Sequence, residues 1–312
     1  MIETPPTALW AIHPQPQANE LFESWLLRCS LENTVPARWI VENLQLEHII
    51  AGIQPISAAE VQLVASALGI YPKQILKTHF GTVMESSKVA YSTPYSVPAR
   101  EKTKASVQCK VCPKCLSEMA KPYIKIPWVL QVTAFCNKHY LPLSEHCPQC
   151  QTGLEINLMD RDAPIQICKN CGFDYRKAST ACFELKQAVE FQEWFLSLKT
   201  EDTVHLAGRR MLTAKTFVGI TERLIRQLIR VSCSQVFINF CDLQLLDDRF
   251  SDTHRRANAL ILCAWVFANP DVQISKLIAH TRQYADYGVS VRLQKAFLST
   301  LESIRMPNAR VM

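Results

Sequence analysis

Cys109-Lys-Val-Cys112-Pro-Lys-Cys115, Cys136-Asn-Lys-His139, Cys147-Pro-Gln-Cys150 and Cys168-Lys-Asn-Cys171 decide how this chain folds. In each, two soft ligands stand two residues apart, so one tight turn aims both side chains at a common point. Zinc takes four such ligands in a tetrahedron, and two pairs complete one closed site. Four pairs therefore predict two zinc ions. Pairing in sequence order joins Cys112 and Cys115 to Cys136 and His139, and Cys147 and Cys150 to Cys168 and Cys171. The pairs of the second set are 17 residues apart, within the ribbon range, and those of the first are 20 apart. Spacing leaves two points open. The pairs can cross, and Cys109 with Cys112 is also a valid pair. The repeated Cys-Pro-x-Cys pattern at 112 and 147 favours Cys112 with Cys115.

With all four positions filled, neither site keeps an open place for a reactive water, so both read as structural. Disulfides need an oxidising compartment, and the first residues lack the apolar core of a signal peptide. The expectation is a bacterial cytoplasmic protein. No apolar run is long enough to span a bilayer, so no membrane association is expected. Only 8 glycines occur in 312 residues. No phosphate-cradling Gly-x-x-x-x-Gly-Lys, no Gly-x-Gly-x-x-Gly and no Gly-x-Ser-x-Gly elbow is present. Nucleotide hydrolysis, hydride transfer and serine hydrolysis are disfavoured. No catalytic residue is assigned, and the chain is not expected to be an enzyme.

The run Cys-Pro-Lys-Cys-Leu at 112–116, Pro122-Tyr123, Trp128, Cys136-Asn-Lys-His139, Leu143 and Cys147-Pro-Gln-Cys150 resembles the TniQ/TnsD family of transposon targeting proteins. The proline-rich lead-in, Glu20 and Ser24-Trp25-Leu26-Leu27-Arg28 are similar to the way family members begin, although Leu21 stands where serine is common. The resemblance covers most of residues 10–171. It implies an adaptor that joins a target-recognition complex, in some systems an RNA-guided Cascade assembly, to the AAA+ transposition regulator. It also implies a homodimer that meets DNA and RNA mainly through the complex. TnsD-like members instead read a DNA attachment site themselves.

Net charge is +6, unevenly spread. Residues 1–80 hold four Lys/Arg against seven Glu, 81–182 hold thirteen against eight acids, and 183–312 hold seventeen against thirteen. Seven thiolates and two zinc ions lower the middle segment to about +2, because metal-bound cysteines are deprotonated. The chain is then only mildly basic, which does not favour strong autonomous DNA binding. This leans toward the RNA-guided adaptor.

The fold expected is mainly α, with small zinc-ribbon β elements. An N-terminal helix-turn-helix domain (1–80) precedes a linker (81–108), a tandem zinc-binding domain (109–182) and a C-terminal helical domain (183–312). Asn19 is expected to cap a helix starting at Glu20, with Trp25 as core anchor and Arg28 facing a partner or a buried acid. A second helix is expected from Pro36 to about Ile50. Ser57 and Glu60 form a capping-box pattern, Gly69 stops that helix and Pro72 opens the next. This helix, glycine turn and helix read as helix-turn-helix grammar. Lys73, Gln74 and Lys77 are its candidate DNA contacts, but the segment's acidity favours docking onto protein. Lys102, Lys104, Lys110 and Lys114 make a modest basic cluster in and beside the linker. Residues 123–133 are expected as short strands or an extended arm, with Trp128 beside the first site. Residues 155–167 read as a hairpin-like excursion within the second site, and Asp160 and Asp162 need no special role. Beyond Phe183, Leu185, Val189, Phe191, Trp194, Phe195 and Leu198 form one helical stripe. Arg223, Arg226 and Arg230 occupy a face of a later helix, and Pro270 is expected to end a third.

Overall fold

The computed structural model describes residues 11–46, 57–78, 106–179, 185–206, 210–231, 252–283 and 298–302. Lys102, Lys104 and most of the expected linker lie outside the described residues. Among the described residues the fold is mainly helical, with two small two-stranded sheets. The described residues fall into two compact units. One holds 11–46, 57–78, 106–133 and 143–179; the other holds 134–142 and the residues from 185 onward.

In the first unit, α1 (Phe22–Glu32) buries Phe22, Trp25, Leu26 and Cys29. Trp25 donates its indole N–H to Pro14 O at 2.7 Å, so the proline-rich lead-in is laid against the helix. Asn19 does not cap α1. It takes a left-handed φ of 57°, and Leu21 stands at the N-cap with no side-chain cap bond. Glu20 organises this helix start instead. Its carboxylate accepts from the Gln17 amide (2.8 Å), the Ser24 hydroxyl (3.3 Å) and Arg28 (2.6 Å). Helix α1 packs on α2 (Ala37–Asn43), which ends earlier than its apolar pattern suggested, with Gln45 at φ 53°. Helix α3 (Ala58–Leu68) shows the expected capping box, with Ser57 N–H to Glu60 Oε2 at 2.6 Å and Glu60 N–H to Ser57 Oγ at 3.3 Å. Gly69 closes it at φ 61°, a conformation that costs a β-carbon-bearing residue energy. Helix α4 (Pro72–Thr78) then packs on α3 and α1.

The Cys-rich half of this unit is mostly irregular. Strand β1 (Ser106–Gln108) pairs antiparallel with β2 (Glu155–Asn157), in the register Val107 opposite Ile156. The segment 155–167 is therefore not a self-contained hairpin: its first residues pair with a strand that precedes every metal ligand. The expected arm at 123–133 is partly a 3-10 turn (Ile126–Val129) with Trp128 buried. It crosses the start of α1, where Leu21 N–H meets Ile124 O at 2.9 Å and Ile126 N–H meets Asn19 O at 2.8 Å.

Two buried cations tie these loops down. Lys110, read from sequence as part of a basic cluster beside the linker, is buried and donates its ammonium to Leu130 O and Thr133 O, both at 2.6 Å. Arg161 sits between the two unremarkable aspartates and is also buried. Its guanidinium donates to the carbonyls of Ala163 (3.2 Å), Glu155 (3.3 Å), Pro164 (3.1 Å), Ile165 (3.4 Å) and Ile167 (2.8 Å). Carbonyls without strand partners need donors when buried, and one guanidinium supplies up to five.

In the second unit, α6 (Lys186–Ser197) leads to a hairpin of β3 (Thr203–Leu206) and β4 (Arg210–Thr213). Helix α7 (Ala214–Val231) and α8 (Asp252–Ala268) follow, and α8 packs on both α6 and α7. Aromatic rings form the core: Phe191 stacks on Phe267 at 5.8 Å, and Phe217 touches Phe267 at 5.0 Å. Trp194, read into the stripe from its spacing, is 40% exposed and lies at the rim of this cluster against Phe191 and Phe217. Pro270 does not simply end α8. It is the first residue of α9 (Pro270–Gln283), where proline's missing N–H has no helical partner to lose.

Candidate metal centres

Three of the four ligand pairs share one backbone turn. The amide of the first residue, at Cys136, Cys147 and Cys168, donates to the carbonyl five residues on, at 2.8, 2.9 and 2.8 Å. The residue four positions on donates back to the first carbonyl in all three: Tyr140 at 2.9 Å, Gln151 at 2.8 Å and Gly172 at 2.9 Å. Those three residues carry positive φ, at 55°, 58° and 74°. An antiparallel bridge closes each turn: Phe135 with Pro142, His146 with Gly153, Ile167 with Asp174. The pair at Cys112 is built differently. Cys112 is the N-cap of the short helix α5 (Pro113–Glu118), and Leu116 N–H bonds to Cys112 O in helical fashion. Buried Leu116 continues the helix where the other three turns reverse the chain.

The turns bring eight side chains into two groups. Ligand atoms of Cys112, Cys115, Cys136 and His139 lie within 4.8 Å of one another, as do those of Cys147, Cys150, Cys168 and Cys171. These are the sets that sequence order pairs, with no crossing. Cys109 belongs to neither group. It is buried, its amide donates to Leu154 O at 3.0 Å, and desolvation pushes its thiol up to about 12.

Both donor sets fit zinc. Four ligands at Zn–S of about 2.3 Å and Zn–N of about 2.05 Å in a tetrahedron put S and S about 3.8 Å apart, and S and N about 3.6 Å apart. Cys147 and Cys171 sulfurs are 3.6 Å apart, Cys150 and Cys168 are 3.7 Å apart, and Cys136 Sγ lies 3.6 Å from His139 Nδ1. Disulfide sulfurs would stand about 2.0 Å apart, and these cysteines form no disulfide. Hydrogen bonds from the Asn170 side chain and Thr152 draw Cys150 down to about 5. The Phe173 amide favours the Cys171 thiolate, yet desolvation and the neighbouring sulfurs push it up to about 12. Four thiols this close cannot all ionise unless a cation sits among them.

A family model for TniQ matches residues 11–143. The chain carries a TniQ domain. No curated protein matches the chain. The TniQ match begins in the proline-rich lead-in, includes the whole first cluster and stops before Cys147. It agrees with the resemblance over residues 11–143, and the Cys147–Cys150 and Cys168–Cys171 pairs lie beyond the match. TniQ proteins are transposon targeting proteins, and the chain is transposition-associated in that sense.

Within the TniQ domain, Arg28 meets a buried acid rather than an outer surface. It is paired with Glu20 at 2.6 Å and with Glu32 at 3.7 Å, and donates to Gln15 O at 2.9 Å. Lys73 and Lys77 are exposed on α4. Gln74 turns back on the chain, accepting from the Tyr71 amide at 3.0 Å and donating to the Gln15 side chain. No described helix is long and apolar enough to cross a membrane.

Sequence reading missed Arg161 and Gln192. Arg161 stands in a turn between two acids, where exposure is the normal expectation. Gln192 had a signal: it lies three residues after Val189 and four after Ala188, on the buried face of α6, where an apolar residue is expected.

Proposed function

We propose that each cluster holds one structural zinc ion. On this reading Cys112, Cys115, Cys136 and His139 ligate the first, and Cys147, Cys150, Cys168 and Cys171 the second. A zinc ion so held cross-links segments that lack regular secondary structure. We further propose that the protein is a transposon targeting adaptor. It would join a Cascade-type RNA-guided complex to the AAA+ regulator, act as a homodimer and perform no catalysis itself. The segments 1–80, 109–182 and 183–312 would then serve as docking, zinc-binding and C-terminal helical modules.

The observation that carries the adaptor reading is the surface of the N-terminal helices. Trp39 is 48% exposed, Leu63 50% and Tyr71 51%, and large apolar side chains of this kind anchor protein interfaces. Of the four cations in residues 1–80, Arg28 is buried and Arg38 pairs with Glu42 at 2.6 Å. That leaves Lys73 and Lys77 as exposed cations on α4, a thin basis for holding a phosphate backbone.

One observation favours the second reading, direct DNA contact in the manner of TnsD-like proteins. Lys215 and Arg223 are exposed on α7 at positions i and i+8, with Gly219 between them at i+4. Titration with duplex DNA at several salt concentrations separates the two readings. The expected result is weak, sequence-independent binding with a log–log salt slope of about −2 to −3, reflecting two or three phosphate contacts. Lys215→Gln and Arg223→Gln should each flatten it by about 1. Nanomolar, site-specific binding at physiological salt would replace the adaptor reading with the TnsD-like one.

A further inference from the structure

We infer that Gln192 is a positioning residue of the first metal centre, holding the Cys136–His139 turn within the unit that contains both. This rests on the zinc reading above. Gln192 is fully buried on α6. Its Oε1 accepts both the Ala134 amide (2.8 Å) and the Phe135 amide (3.0 Å), and its Nε2 donates to Phe135 O at 3.0 Å. Three hydrogen bonds from one side chain thus fix the two residues that lead into Cys136. Phe135 is also the residue whose bridge to Pro142 closes the turn. On the next residue of α6, Glu193 Oε2 accepts from Asn137 Nδ2, inside the turn, at 3.1 Å.

A carboxamide is the side chain this position requires. The entering strand has two amides and one carbonyl to satisfy, and a primary amide presents an acceptor and a donor in matching order. An apolar residue would complete the buried stripe of α6 but leave all three groups without these bonds. The second centre has its own holder. Ile167, which precedes Cys168 as Phe135 precedes Cys136, gives its carbonyl to Arg161 at 2.8 Å. The turns at Cys136 and Cys168 are therefore each held by a buried polar side chain outside the ligand set. Such outer partners hold metal ligands in their productive orientation, and their loss typically lowers metal affinity about 10–100-fold.

The test follows zinc leaving the full-length protein into a chromophoric chelator, resolved into one phase per ion. Cobalt(II) loading assigns the phases, because three thiolates with one imidazole absorb at different wavelengths from four thiolates. Gln192→Ala should speed loss from the Cys112–Cys115–Cys136–His139 centre at least about 10-fold and leave the four-cysteine centre unchanged. Gln192→Glu keeps the acceptor for both amides and should fall between wild type and Gln192→Ala, which keeps the test open if the alanine variant folds poorly. Arg161→Lys should affect the four-cysteine centre alone, and Gln187→Ala, exposed on the same helix, should affect neither. Unchanged release in both Gln192 variants, or equal acceleration at both centres, would overturn the inference. Wild-type protein that takes up no zinc would overturn the zinc reading itself, and this inference with it.

Discussion

Cys112→Ser is expected to leave the protein with one zinc ion instead of two and to unfold the segment around the first cluster. Serine offers a neutral hydroxyl where the tetrahedral site requires a thiolate. A structural zinc site contributes roughly 10–16 kcal/mol of binding-coupled folding energy in small zinc domains, comparable with the whole stability of a typical domain, about 5–15 kcal/mol. The effect should be large because regular secondary structure is scarce in this region: β1 and β2 have three residues each, and α5 has six. Metal analysis of purified protein reads the stoichiometry, and limited proteolysis of residues 109–143 reads the unfolding. Cys109→Ser should keep both ions, since Cys109 stands outside both clusters. Two ions retained in Cys112→Ser would overturn the ligand assignment, and an ion lost in Cys109→Ser would move the first pair to Cys109 and Cys112. Acid should mimic the first substitution. Thiolates and imidazole bind metal only when deprotonated, so occupancy should fall as pH falls.

The second large effect is expected at the start of α1. Arg28→Met removes the guanidinium that neutralises Glu20 and leaves that carboxylate buried without its cation. Breaking one side of a buried pair costs about 3–5 kcal/mol, because the remaining charge has neither water nor counterion. A fall in the denaturation midpoint of the zinc-loaded protein, with both ions retained, is the expected reading. Pairing Arg28→Met with Glu20→Leu should restore only part of the loss. The Gln17 amide and Ser24 hydroxyl, which also donate to Glu20, would then lose their acceptor. A wild-type midpoint in Arg28→Met would mean that the pair contributes nothing to stability.

The targeting reading follows from two scales of observation. The family match covers the N-terminal helices and the first cluster together. The structure ties these parts to each other through main-chain bonds between residues 19–21 and 124–126 and through the Lys121–Glu32 pair at 2.8 Å. A docking surface on the helices, as proposed, would be braced by the segment at 121–126 rather than strung from it. That is a reason for an adaptor to carry a structural metal: rigid presentation lowers the entropic cost of binding.

The sequence by itself determined whatever local chemistry dictates. Two ligands separated by two residues suit one tight turn, and Ser57 with Glu60, Gly69 and Pro72 mark helix ends through hydrogen bonds and φ preferences that act within four residues. These signals gave the α3–α4 pattern and the candidate zinc residues. Only tertiary structure decided what depends on residues distant in sequence. Asn19 has the chemistry of a cap, but the bridge between Glu20 and Lys125 sets the chain's path there, and Glu20 takes over with Arg28 as its counterion. Lys110 and Arg161 look like surface cations in any local window. They are buried because irregular loops around the clusters leave carbonyls that no strand satisfies. Gln192 shows the same division most sharply. Its own helix requires only a residue that fits a buried face, whereas the amides of Ala134 and Phe135, 58 and 57 residues away, require a carboxamide.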